Sequence, residues 1–244
     1  KDNLFVARTF SSKARTMGMT FGTLGVLIMF TLLFLNFSSL NKASYDYINE
    51  VTSPFDVSAF FKTEDVLSKV YDVVDENYTV VDSVRYNVYL NTNSNIEKLL
   101  PAYDYTSEPY DKLIKVSDYN HLLKIKGKDQ VTLNNDEYIL VYDKSDSFLA
   151  EDSSIKTITL SNGITLNQKE TTTELEFAGL TNAGYAVVVP DDVVNGLGIY
   201  EYFMAIDTKE DTTAELEKKI VEELRSDLCE VDEEGHEFCS TYRI

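Results

Sequence analysis

Few residues in this chain of 244 are of types that perform covalent chemistry: two cysteines and two histidines, with no tryptophan. Cys229, His236 and Cys239 fall within one short stretch that also carries Glu230, Asp232, Glu233, Glu234 and Glu237. Thiolate, imidazole and carboxylate groups together can capture a transition metal, yet this spacing follows no standard zinc pattern. Two cysteines so close in the chain can instead close a disulfide in an oxidising compartment, with Glu233-Glu234-Gly235 as the turn of a hairpin, or remain free thiols. The candidate disulfide Cys229 to Cys239 is therefore the only site pairing nominated. His121 falls on a helix surface. Neither histidine has a G-x-S-x-G nucleophile elbow to serve, and no G-x-x-x-x-G-K-[ST] phosphate cradle occurs. No catalytic, cofactor-binding or metal residue is nominated, and any ATP hydrolysis belongs to a separate polypeptide.

Carboxylates are the abundant chemistry: 41 acidic residues against 22 basic ones, a formal net charge of −19. Pairs such as Asp191-Asp192 and Glu222-Glu223 read as solvated surface rather than acid–base couples. Their sum argues against nucleic acid, whose binding draws on lysine and arginine, and favours cationic partners. The charge is also unevenly placed. Residues 1–18 carry Lys1, Arg8, Lys13 and Arg15 against Asp2, residues 19–41 carry no charge, and the remainder holds 18 basic and 40 acidic residues.

The uncharged zone must position everything after it. Its centre, Phe21 to Leu35, is long and apolar enough for a helix across a bilayer, and Thr20, Thr23 and Thr31 can return their hydroxyls to the preceding turn. A span over 19–41, with 1–18 cytoplasmic and 42–244 an extracellular sensing or substrate-capture domain, follows from four basic residues before the span against Lys42 alone just after it. A cleaved signal peptide, whose apolar core would be too long, and a buried helix of a soluble protein are the competing readings. Gly18 and Gly22 give a small-xxx-small spacing along the span. The chain opens without methionine and reads as a fragment of a longer protein.

Beyond a polar, tyrosine-bearing connection over 41–54, the pattern is α+β: a mixed, mainly antiparallel sheet with helices, in one domain or two lobes. Thr63 caps a helix carrying Val66, Val70, Val73 and Val74 on one face, and Tyr78 to Leu90 reads as strand. Lys112 to Val116 is a strand leading to a helix started by Ser117 and stopped by Gly127. Val131 to Leu133 and Glu137 to Tyr142 suggest a hairpin about Asn134-Asn135-Asp136. A second hairpin turns at Asn162-Gly163, between Ile155–Leu160 and Ile164–Leu166, as type I′. Tyr185 to Pro190 repeats the strand-to-helix step into Asp191–Val194, closed by Asn195-Gly196. Strand Ile199 to Ile206 leads to a helix over Thr212–Leu228, capped by Asp211. The tyrosines read as sheet packing.

The run Ala7-Arg8-Thr9-Phe10-Ser11-Ser12-Lys13-Ala14-Arg15-Thr16 before the span, the run Val116-Ser117-Asp118-Tyr119-Asn120-His121-Leu122-Leu123 followed by Gly127, Leu133 and Tyr138, and the step Val187-Val188-Val189-Pro190-Asp191 carry a resemblance. In order and spacing the chain resembles, over nearly its whole length, the FtsX-like permeases of ABC transporters, of the bacitracin-export type of Gram-positive bacteria. The resemblance implies the seventh of ten membrane helices and the large extracellular domain that follows it. It implies an ABC ATPase homodimer and a sensor histidine kinase as partners, and a cationic antimicrobial peptide or lipid-linked cell-wall precursor as ligand at the membrane lipid surface. It carries over no catalytic residue. A non-transporting receptor's sensing domain and a membrane-anchored surface enzyme are the alternatives; further apolar spans beyond residue 244, a kinase module or turnover would separate the three.

Overall fold

The computed structural model describes residues 2–52, 54–93, 96, 110–142, 156–173, 185–231 and 237–239. The chain divides into two compact units, Lys1–Asn49 and Glu50–Ile244.

A single helix, α1 (Asp2–Thr52), makes up the first unit and runs on beyond it. Its segment Met17–Tyr45 is 29 residues long, with mean hydropathy 2.0 and nothing buried, so it is long and apolar enough to cross a membrane. Apolar side chains from Met17 to Leu40 stand exposed all round it, the pattern of a helix whose solvent is not water. Thr23 and Thr31 donate their hydroxyls to the carbonyls of Met19 and Leu27 at 2.9 and 2.8 Å, as the sequence suggests. The helix is much longer than the 19–41 span because neither flank contains a breaker. The first proline is Pro54, and α1 ends just before it.

The second unit is α+β. Its strands are β1 (Val57–Phe61), β2 (Val80–Asn91), β3 (Asp111–Lys115), β4 (Glu137–Tyr142), β5 (Thr157–Thr159), β6 (Thr165–Thr172), β7 (Tyr185–Val189) and β8 (Ile199–Thr208). They form one sheet in the order β1-β8-β2-β3-β7-β4-β6-β5. Pairing is antiparallel except at β3–β7 and β4–β6, so mixed and mainly antiparallel is the observed topology. Helix α2 (Glu64–Asn77) and helix α4 (Ala214–Glu223) lie on one face of the β1–β8 end, where Leu67, Val70, Val74 and Ile220 meet Ala59, Met204 and Ile206. Helix α3 (Val116–Ile125) covers the opposite face, burying Tyr119, Leu122 and Leu123 against Val88, Ile114, Val188 and Ala205. The alternation of β7, with Ala186 and Val188 toward α3 and Val187 and Val189 toward the other core, explains why that strand reads as an unbroken apolar run.

Several local expectations change. Val131–Leu133 is no strand: β4 pairs with β7 and β6, and residues 128–134 form an irregular loop. The Asn162-Gly163 turn is the three-residue form rather than type I′. The Gly163 N–H donates to the Leu160 carbonyl and the Leu160 N–H to the Ile164 carbonyl, with Gly163 at φ 87°. The helix expected over 212–228 starts at Ala214, with Thr213 rather than Asp211 at its cap position, and breaks at Leu224 before the short α5 (Arg225–Leu228). Both pieces keep Leu216, Ile220, Leu224 and Leu228 buried, so the break preserves the apolar stripe. Among the described residues one eight-stranded sheet runs through the unit. Of the two most polar interruptions in the sequence, Asn91–Asn95 and Thr106–Pro109, which read as exposed loops or a boundary, residues 94–95 and 106–109 lie outside the described residues.

Candidate functional site around helix α3

Strands β3 and β7 are parallel neighbours, pairing Lys115 with Val189, so both strand-to-helix steps occur at the same edge of the sheet. There the Ser117 N–H donates to Asp191 Oδ1 at 3.1 Å, tying the start of α3 to the 3-10 turn Asp191–Val194. Asp118, in the first turn of α3, is half-buried beside it. Burial pushes the Asp118 carboxyl up to about 6; nearby Asp191 adds to the rise, while Lys115 and His121 oppose it. Burial, and secondarily Asp118, hold the Tyr86 phenol far above its ordinary range. His121 Nε2 lies 3.5 Å from Asp82 Oδ1, with both side chains partly exposed.

The other residues of the Val116–Leu123 run have packing tasks. Tyr119 is fully buried, and Asn120 grips the following loop from both sides. Its Oδ1 accepts from the Val131 N–H at 2.7 Å, and its Nδ2 donates to the Val131 carbonyl at 2.8 Å. Gly127, at φ 63°, turns the chain out of α3, and the Lys128 N–H returns to the Leu123 carbonyl at 2.9 Å. Lys169 Nζ, from β6, donates to the Thr132 carbonyl at 2.5 Å. A loop without strand pairing is thus fixed at three points.

Between this loop, α3 and the end of β6 lies a cavity of about 510 Å³. Tyr119, Leu123 and Val131 supply its apolar lining; Lys128, Asp129 and Glu170, all exposed, supply charge. Its size falls in the range of small-ligand and side-chain pockets. Sequence reading missed it because its walls come from α3, an irregular loop and β6, which only the sheet order brings together. Of the Ser117-Asp118-Tyr119-Asn120 run, Tyr119 alone is among the lining residues.

The far end of β3 carries a second polar arrangement. Asp111, fully buried, accepts hydrogen bonds from Asn91 Nδ2 at 3.1 Å, the Ile96 N–H at 2.8 Å and the Tyr185 hydroxyl at 2.9 Å. Asn91 Oδ1 accepts in turn from the Ser161 N–H and hydroxyl. This network joins four separate segments and reads as a structural node.

Strands β9 (Cys229–Val231) and β10 (Glu237–Cys239) form an antiparallel ribbon in which Cys239 stands directly opposite Cys229. His236 and residues 232–235 lie outside the described residues. Among the described residues no group of three or more histidines, cysteines and carboxylates is placed to hold a metal. Asp191 and Asp192 follow β7, and Glu222 and Glu223 end α4, all exposed.

Compared with known proteins, the sequence matches no family model and no curated protein. Among solved structures, the chain is similar to a Bacillus anthracis protein described as a lipoprotein, with 9% identity, TM-score 0.39, and coverage of 68% of this chain and 90% of that one. It is also similar to the periplasmic region of MacB from Actinobacillus actinomycetemcomitans, with 13% identity, TM-score 0.32, and coverage of 69% and 82%. Likenesses at these scores carry no argument about function.

Proposed function

We propose that this chain is the seventh membrane helix and extracellular domain of an ABC-transporter permease, and that the domain captures cationic peptide antibiotics, or their complexes with lipid-linked cell-wall precursors, for removal and resistance signalling. Residues 1–18 lie in the cytoplasm and residues after about 41 outside. The partners are an ABC ATPase homodimer, which hydrolyses the ATP, and a sensor histidine kinase. Cys229 and Cys239, opposite each other in their ribbon, form a disulfide in this location.

The observation that carries the reading is the division of charge by one apolar helix: a basic flank before it, and 18 basic against 40 acidic residues after residue 41. A bilayer crossed by α1 separates the two, and the positive flank stays inside. The acidic unit outside then raises the local concentration of cationic ligands within a screening length of ~8 Å at physiological salt. Capture coupled to transport requires that ligand binding favour one conformational state of the whole transporter. Support also comes from the sequence runs at Ala7–Thr16, Val116–Leu123 and Val187–Asp191 that resemble the permease family.

The test uses the full chain in nanodiscs of zwitterionic lipid, titrated with bacitracin and, separately, with a polylysine-containing amphipathic peptide. Saturable binding that weakens as salt rises from ~50 to ~500 mM is expected. Indifference to both peptides at every salt concentration overturns the capture reading.

A further inference from the structure

Two features of the segment that precedes the apolar stretch of α1 point to a partner. The first is composition. Lys1, Arg8, Lys13 and Arg15 are accompanied by a single acid, Asp2, and no further carboxylate occurs before Asp46. Arg8 and Lys13 are exposed. The second is depth. Met17–Tyr45 holds 29 residues, which as helix measure about 43 Å, the thickness of a bilayer with its headgroups rather than of its hydrocarbon alone. With that stretch across a bilayer, Met17 stands at the level of the lipid phosphates, and Arg15 and Lys13 follow about 3 and 6 Å beyond it along the axis. Both positions lie within a screening length of ~8 Å, and lysine and arginine side chains are long enough to return to the phosphates. From this placement we infer that Lys13 and Arg15 form a docking surface for anionic phospholipid headgroups. Arg8, about 13 Å from Met17, adds attraction at longer range.

Charge complementarity and helix geometry select this occupant. Each basic residue beside a membrane span favours an anionic lipid surface by about five-fold. Positions 8 and 15 are seven residues apart and share one face of α1, while position 13 lies about 160° round from position 15. A headgroup layer surrounds a helix and engages both faces, whereas a groove on a protein engages one. The other end of the stretch offers no such attraction, because Lys42 is followed by Asp46 and Glu50. The surface requires α1 to cross a bilayer, as in the proposed function, and depends neither on peptide capture nor on which side the acidic unit occupies.

The chain has no tryptophan, so a single introduced indole reports on its own surroundings. Met17→Trp and Leu40→Trp, at exposed positions of α1, place it near either end of the stretch. Each full chain is reconstituted in nanodiscs of phosphatidylcholine with a minority of phosphatidylglycerol, one lipid at a time carrying brominated acyl chains that quench an adjacent indole. Circular dichroism confirms that each variant is folded. At position 17, quenching by brominated phosphatidylglycerol is expected to exceed that lipid's share of the bilayer by about three-fold or more. Adding Lys13→Gln with Arg15→Gln should return it to that share, whereas Arg8→Gln alone should leave more than about half of the excess, because position 8 lies farther from the phosphates. At position 40, quenching should follow bulk composition throughout. An excess that is absent at position 17, equal at both positions, or unchanged by Lys13→Gln with Arg15→Gln overturns the docking surface while leaving the span intact. Failure of either brominated lipid to quench the indole at either position overturns the span, and the surface with it.

Discussion

Asp111 and Asp118 show how differently two carboxylates of one chain are used. Asp111 receives three hydrogen bonds with no exposure to water, so its removal orphans buried donors on β2, on residue 96 and on β7. Each orphan costs ~1–3 kcal/mol. Asp111→Ala is expected to lower unfolding stability by ~3–5 kcal/mol, read from urea denaturation of the detergent-solubilised chain. A loss below ~1 kcal/mol would show that the network is not the node described. Asp118 works in the opposite sense. Its folded-state carboxyl titrates near 6, above the ~3.9 of an unfolded chain. The folded state therefore holds the proton more tightly, and this residue's contribution to stability declines as pH rises from about 4 through about 6. Tyr86, Asp191, Lys115 and His121 are the groups that face it. Asp118→Asn is expected to raise the melting temperature at pH 7.5 and to flatten its dependence on pH between 4 and 6.5. An unchanged pH profile in the variant would contradict the assignment. Neither role was legible in the sequence, where both aspartates are two among many acidic residues, because burial of a carboxylate depends on which strands become neighbours.

Elements were legible where one local signal sufficed. Strand β7 followed from its valine run and proline stop, α2 from valines on one face, and the end of α3 from Gly127. Signals failed where a distant side chain replaced the local partner. Val131–Leu133 has strand composition, but Asn120 takes the hydrogen bonds of Val131, so the segment becomes a cavity wall instead of a ladder. The sheet order, with β7 inserted between β3 and β4, is a long-range choice that no local window contains. The ribbon β9–β10 is the element whose sequence signal and backbone placement agree most directly, since the two cysteines are cross-strand partners. If they are joined, the intact protein takes up no iodoacetamide before reduction and two equivalents after it, read by mass spectrometry. Replacing both with serine is expected to lower stability by ~2–3 kcal/mol. Two equivalents incorporated by the unreduced, freshly purified protein would disprove the pairing.

At the scale of the whole molecule, the fold and the charge make one demand on topology. In the sequence, Met17–Tyr45 stands between the basic start of the chain and its acidic remainder, so on the proposed reading a bilayer around that segment puts the two on opposite sides. Which side is which depends on Arg8, Lys13 and Arg15, because moving each positive charge outward against a membrane potential costs ~2.3 kcal/mol per 100 mV, while carboxylates influence orientation little. Protease added to intact cells expressing the chain with an N-terminal epitope is therefore expected to digest the acidic unit and spare the epitope. Changing Arg8, Lys13 and Arg15 together to glutamine removes most of the bias and should yield a mixed population, with part of the acidic unit protected. The reverse protection pattern in the parent chain would place the acidic unit inside the cell, where no extracellular peptide reaches it and where Cys229 and Cys239 meet a reducing pool. Orientation thus decides at once between capture and its absence, and between a disulfide and two thiols.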